Sequence, residues 1–186
     1  MRWPIFAIFL YIICLLQVTL AKIITFETLG VGSFGPDLMV CFAVFVAFWA
    51  RSSTDAMIAG TIMGLMIDLT TAGGMQAPTL VGPMALAYCL CVSLVFRIRE
   101  AFFRDRALPQ ILICTLFCLV AHFIWVTIQT IFCGTGGLAA YFHALLLVVM
   151  SAIYTGLISP ILLYMLLVVR SVIFESISSR GARSRR

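Results

Sequence analysis

The feature of this sequence that most constrains its fold is a series of six apolar runs separated by short polar segments that hold nearly all of the charge. The runs cover residues 4–21, 36–50, 56–71, 78–96, 108–132 and 138–169. Apolar residues make up 63% of the 186 residues and charged residues only 10%, a balance that a soluble domain of this length cannot bury. We therefore predict an all-α integral membrane protein with six transmembrane helices.

The basic residues support this threading of the chain. If all six runs cross the bilayer, eleven of the twelve Lys and Arg residues lie on one side, and Lys22 alone lies opposite. These eleven are Arg2, Arg51, Arg97, Arg99, Arg104, Arg106, Arg170, Arg180, Arg183, Arg185 and Arg186. Because basic residues concentrate on the cytoplasmic side, we predict that both termini are cytoplasmic. The net charge of +5 then indicates contact with anionic lipid and no nucleic-acid partner.

The chain divides into a membrane domain over residues 1–170 and a basic cytoplasmic tail over residues 171–186. The tail is rich in Ser and Arg, which predicts disorder. At the other end, Arg2 followed by an apolar run that ends in Thr19-Leu20-Ala21 is also compatible with a cleaved signal peptide. The length of the run favours a retained first helix, and cleavage would leave the orientation of the other five unchanged.

The seven cysteines are odd in number, lie mostly inside the apolar runs and include no Cys-x-x-Cys pair. They are typical of small apolar packing residues. We therefore predict neither a structural disulfide nor a metal site, and no cofactor.

The second and third runs carry the most specific pattern. Asp37 stands at the start of the second run, and Gly60, Gly64 and Asp68 follow four residues apart on one stripe of the third. A hairpin of these two helices would place both carboxylates at its external end. The stripe is a candidate partner interface, since glycines permit close approach of another helix. The alternative is that the glycines pack inside the bundle while Asp68 marks the membrane edge.

The fifth run contains a polar stripe at three- and four-residue steps, formed by Thr115, Cys118, His122, Trp125 and Gln129. Such residues usually form hydrogen bonds between helices. The alternative is a ligand pocket lined by His122, Trp125 and Gln129, joined by His143 from the sixth run. In that last run, Gly156 and Pro160 predict a kink, unless the helix simply tilts.

An enzymatic function is less well supported. An intramembrane aspartyl protease or lipoprotein signal peptidase needs two facing carboxylates, which Asp37 and Asp68 could supply, but their neighbours do not match either family. Gly32-Ser33-Phe34-Gly35 lacks the spacing of a serine nucleophile. We therefore predict no catalytic residue.

One stretch resembles a known family. Pro36-Asp37-Leu38, the turn at Arg51, Gly60-x-x-x-Gly64-Leu65-Met66-x-Asp68 and Gly73-Gly74 look like the signature of the bacterial rod-shape-determining protein MreD. Chain length, the six-run layout and the basic loop after the fourth run are similar to that family as well. The resemblance covers residues 35–106 by motif and the remainder by layout.

The resemblance implies a multi-pass protein of the cell inner membrane that belongs to the cell-elongation complex for rod shape and peptidoglycan synthesis. Its partner would be the bitopic protein MreC, and through it the cytoskeletal protein MreB, the polymerase RodA and a transpeptidase. MreD-like proteins resemble the six-helix substrate-binding subunits of energy-coupling-factor transporters. The alternative function is therefore binding of a vitamin-like small molecule as a membrane subunit of a transporter.

Overall fold

The structure is a computed structural model that describes residues 3–24, 26–28, 32–72, 80–99, 107–133 and 137–174. Within them it contains six α-helices and one short hairpin. The helices are α1 (Trp3–Ile24), α2 (Leu38–Trp49), α3 (Ser53–Ala72), α4 (Pro83–Ile98), α5 (Ala107–Cys133) and α6 (Leu138–Phe174). The strands are β1 (Phe26–Thr28) and β2 (Gly32–Phe34).

Each of the six apolar runs corresponds to one helix of the described residues, so the prediction of six helices is confirmed there, while six membrane crossings stay a prediction. Two helical segments, Pro109–Cys133 in α5 and Leu138–Leu167 in α6, are long and apolar enough to cross a membrane. The apolar segments Trp3–Thr19, Leu38–Trp49 and Pro83–Ile98 are shorter. Helix α4 begins at Pro83, five residues after the predicted start at Pro78, which lies outside the described residues.

The hairpin between α1 and α2 was not predicted. Strands β1 and β2 are antiparallel, with Phe26 opposite Phe34 and Thr28 opposite Gly32, and β2 also contacts α6.

Helix α2 is the centre of the molecule. All residues from Leu38 to Phe48 are buried, and α2 packs against the five other helices. Phe42, for example, stacks on Phe6 of α1 with ring centroids 5.7 Å apart. A helix that is apolar on every side is suited to this position. Its twelve residues extend for about 18 Å, little more than half of the hydrocarbon thickness of a bilayer.

Helices α5 and α6 pack closely where Gly156 lies against Thr115. Glycine allows this approach, since a β-carbon at position 156 would collide with the Thr115 hydroxyl. Four residues later, Pro160 lacks the N–H that would bond the Gly156 carbonyl. The Ser159 hydroxyl donates to that carbonyl instead, at 2.7 Å. Helix α6 is assigned continuously through Pro160 to Phe174. It thus includes the first four residues of the predicted tail, and residues 175–186 lie outside the described residues.

Candidate functional site

Asp37 is the N-cap of α2. Its Oδ1 accepts hydrogen bonds from the backbone amides of Met39 and Val40 at 3.0 and 3.3 Å, and its own amide donates to the Thr155 hydroxyl at 2.9 Å. Only 7% of Asp37 is exposed. The carboxylate therefore stabilises the positive end of a helix that begins inside the protein.

The non-helical residues around Asp37 have their backbone groups satisfied by side chains of α1 and α6. Gln17 donates to the Pro36 carbonyl at 3.3 Å and accepts from the Leu38 amide at 2.7 Å. Ser151 donates to the Gly35 carbonyl at 2.9 Å. Irregular backbone inside an apolar bundle requires such partners, because water is not available to replace them.

The second carboxylate oxygen of Asp37 faces side chains of α4 and α5. Tyr88 donates its hydroxyl to Oδ2 at 3.3 Å, and His122 Nε2 lies 3.5 Å from the same atom. The Sγ atom of Cys118 is 3.6 Å from His122 Nδ1 and 4.0 Å from the Thr155 hydroxyl. We call this set of five residues (Asp37, Tyr88, Cys118, His122 and Thr155) the Asp37 cluster.

The Asp37 cluster lies in the middle of the bundle. His122 and Thr155 are both near the midpoints of their helices, α5 and α6. Asp37 stands at the open end of the α2–α3 hairpin, as expected, and there it also contacts α4, α5 and α6; that this end is external stays a prediction. The physical reason for this depth is that α2 is only twelve residues long and that Gln17 of α1 and Ser151 and Thr155 of α6 hold the residues that precede it.

Asp68 has a simpler setting, because it caps α4 from the neighbouring helix. Its Oδ2 accepts from the backbone amides of Gly82, Met84 and Ala85 at 2.9, 3.1 and 3.3 Å. Gly82 has a φ of +120°, which favours glycine, and Pro83 occupies the first helical position. Asp68 is 3% exposed and thus buried at this corner.

Gly60 and Gly64 pack α3 against α4. A β-carbon on Gly64 would lie 2.5 Å from the Met84 carbonyl oxygen, and one on Gly60 would lie 3.0 Å from Val92 Cγ2. Both glycines are buried. The structure therefore places them as in the alternative interpretation of the stripe, and a partner helix would have to displace α4 to reach them.

The four residues of the predicted pocket have different surroundings. His122 belongs to the Asp37 cluster, whereas Gln129 accepts from the Leu80 amide and donates to the Leu80 carbonyl. Trp125 is partly buried against the core, and His143 is exposed. A cavity of about 150 Å³ lies instead between α4 and α5, and its lining contains none of the four.

The opposite end of α2 carries a basic partner. Arg99 donates to the carbonyl oxygens of Ala50, Phe48 and Ala47 at 2.6, 3.3 and 3.4 Å. Its guanidinium also lies over the Phe96 ring, 3.9 Å from the centroid. A cation at the C-terminus and a carboxylate at the N-terminus both complement the dipole of α2.

Sequence reasoning missed five of these functional side chains, namely Gln17, Tyr88, Arg99, Ser151 and Thr155. Gln17 did carry a signal, because it is the one amide side chain within the first apolar run. Cys118 and His122 also stand four residues apart, the spacing that brings two side chains together on one helical face. Asp37 and His122 were identified, but as members of two separate sites that the structure joins.

A scan against protein-family models, a search of curated proteins and a search of solved structures each found no match. Function is therefore argued from the residues themselves. Both carboxylates accept hydrogen bonds from helix N-termini, Asp37 through Oδ1 and Asp68 through Oδ2, and among the described residues only Asp37 has an ionisable group beside its other oxygen.

Proposed function

We propose that this chain is a non-enzymatic scaffold or regulatory subunit of the bacterial cell-elongation complex, embedded in the inner membrane by six spans. One observation carries the proposal. Residues of the MreD-like motif help to position α2, α3 and α4. Asp37 caps α2 and accepts from Tyr88 of α4. Asp68 of α3 caps α4, and Gly60 and Gly64 let α3 approach α4 closely. A motif that builds the frame of a bundle is what a scaffold requires, since its task is to hold a fixed shape.

The proposed orientation, with both termini in the cytoplasm, is supported by the basic residues at one end of the bundle. Arg99 contacts the carbonyl of Ala50, which directly precedes Arg51. The α2–α3 turn and the end of α4 thus meet at the same end, and both carry arginine. Their clustering agrees with the cytoplasmic side of the positive-inside rule.

A non-enzymatic role is supported by the state of the two carboxylates. An aspartyl protease would need a pair of carboxyl groups that share a proton and face a substrate. Here, Asp68 holds three amides of α4 and Asp37 holds two of α2. If either carboxylate left its amides to act on a substrate, a helix N-terminus would be unsatisfied in an apolar surrounding.

The proposed partner is a single-spanning MreC-like protein, which would connect the chain indirectly to MreB, RodA and a transpeptidase. Because α4 covers the glycine stripe, we place the partner on the outer face of α3. Ile58, Leu65 and Leu69 are exposed there, by 47%, 42% and 53%. The exposed hydroxyl of Thr61 lies on the same side, and small hydroxyl residues are common in contacts between membrane helices.

Co-purification from the source bacterium tests this proposal. We expect tagged wild-type protein to recover a single-spanning coiled-coil protein, and Leu65→Trp to reduce that recovery because the bulky ring obstructs the outer face of α3. The matched control is Leu90→Trp on the exposed face of α4, which should recover the partner normally. Absence of any single-spanning partner would contradict the proposed function, and full recovery by Leu65→Trp would contradict only the surface.

The alternative function, a transporter subunit that binds a vitamin-like solute, requires a ligand-sized cavity. The cavity between α4 and α5 is lined by apolar residues and Cys91, and its volume of about 150 Å³ is below the range of roughly 300–1,000 Å³ usual for small-molecule sites. The geometry therefore favours the scaffold. Binding assays with a panel of solutes on purified protein would reverse this preference if one bound tightly.

A further inference from the structure

The Asp37 cluster brings together three kinds of metal ligand. One ligand atom each of Asp37, Cys118 and His122 lie within 4.8 Å of one another. Cys118 and His122 are one helical turn apart on α5, and Asp37 reaches them from the start of α2. Two ligands from one helix and a third from a separate segment form an arrangement common in zinc sites.

The orientation of the His122 ring makes its second nitrogen a ligand. Nδ1 lies 3.0 Å from the backbone carbonyl of Cys118. A carbonyl oxygen only accepts, so Nδ1 carries the hydrogen. Nε2 is then the nitrogen that faces Asp37, and Cys118 Sγ, 3.6 Å from Nδ1, must turn toward Nε2 to share an ion with it. Metal-binding histidines show this same arrangement, in which one ring nitrogen donates to a carbonyl and the other coordinates.

The distance between Nε2 and the carboxylate agrees with a shared cation. His122 Nε2 and Asp37 Oδ2 are 3.5 Å apart, longer than the 2.7–2.9 Å of a charge-assisted hydrogen bond. A metal cation between the two atoms would accept an electron pair from each of them. Bonds of about 2.0–2.1 Å in a tetrahedral zinc site place neighbouring oxygen and nitrogen ligands about 3.4 Å apart.

Charge decides which cation fits the interior of an apolar bundle. A carboxylate and a thiolate carry two negative charges, so a divalent ion gives a neutral site, and a neutral site is the least costly one inside a membrane. A carboxylate oxygen disfavours copper(I), and a thiolate disfavours magnesium and calcium. Zinc accepts all three ligand types.

We propose that Asp37, Cys118 and His122 bind one zinc ion, or a divalent ion of the same class, at the centre of the bundle. The Tyr88 hydroxyl donates to Asp37 Oδ2 at 3.3 Å and would orient the carboxylate. The ion would join α2 to α5 where the chain has no other covalent or ionic link between them among the described residues. This site goes beyond the proposed scaffold function and does not depend on it.

The test is metal analysis of the full-length protein purified in detergent after loading with zinc and removal of unbound ion. We expect about one zinc per chain in the wild type. Cys118→Ser and His122→Gln should each lower zinc affinity by roughly 100-fold or more, because loss of a residue that merely hydrogen-bonds to a metal ligand can already cost that much. Cys91→Ser and His143→Ala are matched controls, since they change a buried thiol and a histidine elsewhere, and both should retain full occupancy.

Cobalt substitution provides a measurement that does not depend on the variants folding. Wild-type protein loaded with Co²⁺ should show a thiolate-to-cobalt charge-transfer band and the intense visible bands of tetrahedral geometry. Absence of bound zinc and of these bands in the wild type would overturn the proposal, leaving an Asp37–His122 ion pair. Full zinc occupancy in folded Cys118→Ser and His122→Gln would overturn it as well, because the ion would then lie elsewhere.

Discussion

Asp37 and Asp68 perform the same local task in two different regions of the molecule. Each is buried and accepts backbone amides at the start of a helix, α2 for Asp37 and α4 for Asp68. Asp37 does so in the middle of the bundle. Asp68 lies near the level of Gln129, seven residues or about 10 Å farther along α5 than His122, because the Gly82 it caps follows Leu80 closely.

The two carboxylates also differ in the number and kind of polar groups that surround them. Asp68 uses one oxygen for three amides and has no ionisable partner in the contacts of the described residues. Asp37 uses both oxygens and is surrounded by polar groups of α4, α5 and α6. Burial of a charge at the centre of an apolar bundle is costly unless it is paired, so the deeper carboxylate needs the larger network.

The largest effect is expected for Asp37→Ala. This change leaves two amides of α2 and the Tyr88 hydroxyl without their acceptor and removes the carboxylate beside His122. Removing one member of a buried ionic network costs about 3–5 kcal/mol. Reversible unfolding of the purified protein in a denaturing detergent measures this change in free energy.

Asp37→Asn is the informative control, since asparagine is as good an N-cap as aspartate. It should recover most of the capping while losing the negative charge. A loss below about 1 kcal/mol for Asp37→Ala would contradict the central role that we assign to the cluster.

The next largest effect is expected where α3 packs against α4 at Gly64. Gly64→Ala places a β-carbon 2.5 Å from the Met84 carbonyl, which is backbone and cannot move aside cheaply. Overpacking of this kind costs about 1–3 kcal/mol. Gly60→Ala is the matched control, since its nearest neighbour is the Val92 side chain at 3.0 Å, which can adjust. Equal losses for the two variants in the same unfolding assay would contradict the close approach at Gly64.

Asp68→Ala should destabilise less than Asp37→Ala. It removes the acceptor of three amides but leaves no unpaired ionisable side chain, so a cost of about 2 kcal/mol, the upper range for a lost N-cap, is expected. Hydrogen exchange at Gly82, Met84 and Ala85 should accelerate in this variant, while exchange in α2 should not change. If Asp68→Ala cost as much as Asp37→Ala, depth would not be what separates the two regions.

The sequence predicted the number and approximate bounds of the helices, because the apolar runs and the arginines between them are features of composition. It did not predict how deep α2 begins. Run 36–50 looks like a short crossing helix, and only the contacts of Gln17, Ser151 and Thr155 reveal that its first residues are supported inside the bundle.

The candidate site was predicted in parts. Asp37 and His122 were identified by the same argument, a polar group in an apolar run. Their pairing could not be predicted, because it depends on how α2 and α5 pack, and helix packing is not encoded in the spacing along either helix. The glycine stripe likewise indicates close packing but not which helix packs against it, and α4 is that helix here.

Two glutamines offer the most controlled test of the depth argument, although the expected difference is the smallest. Gln17 and Gln129 each form two hydrogen bonds to backbone, Gln17 to Pro36 and Leu38 in the interior and Gln129 to Leu80 at the exposed corner. Replacement of either by leucine removes two hydrogen bonds to backbone, and Gln129→Leu also removes the acceptor of the Cys133 thiol. Water can reach the Leu80 groups but not those beside Asp37, and an unsatisfied buried group costs about 1–3 kcal/mol. We therefore expect Gln17→Leu to destabilise the protein by about 1 kcal/mol more than Gln129→Leu in detergent unfolding. If the two losses were equal, hydrogen-bond number would explain the polar network, and the contrast between the deep and shallow caps would have to come from the charge of Asp37 and His122 alone.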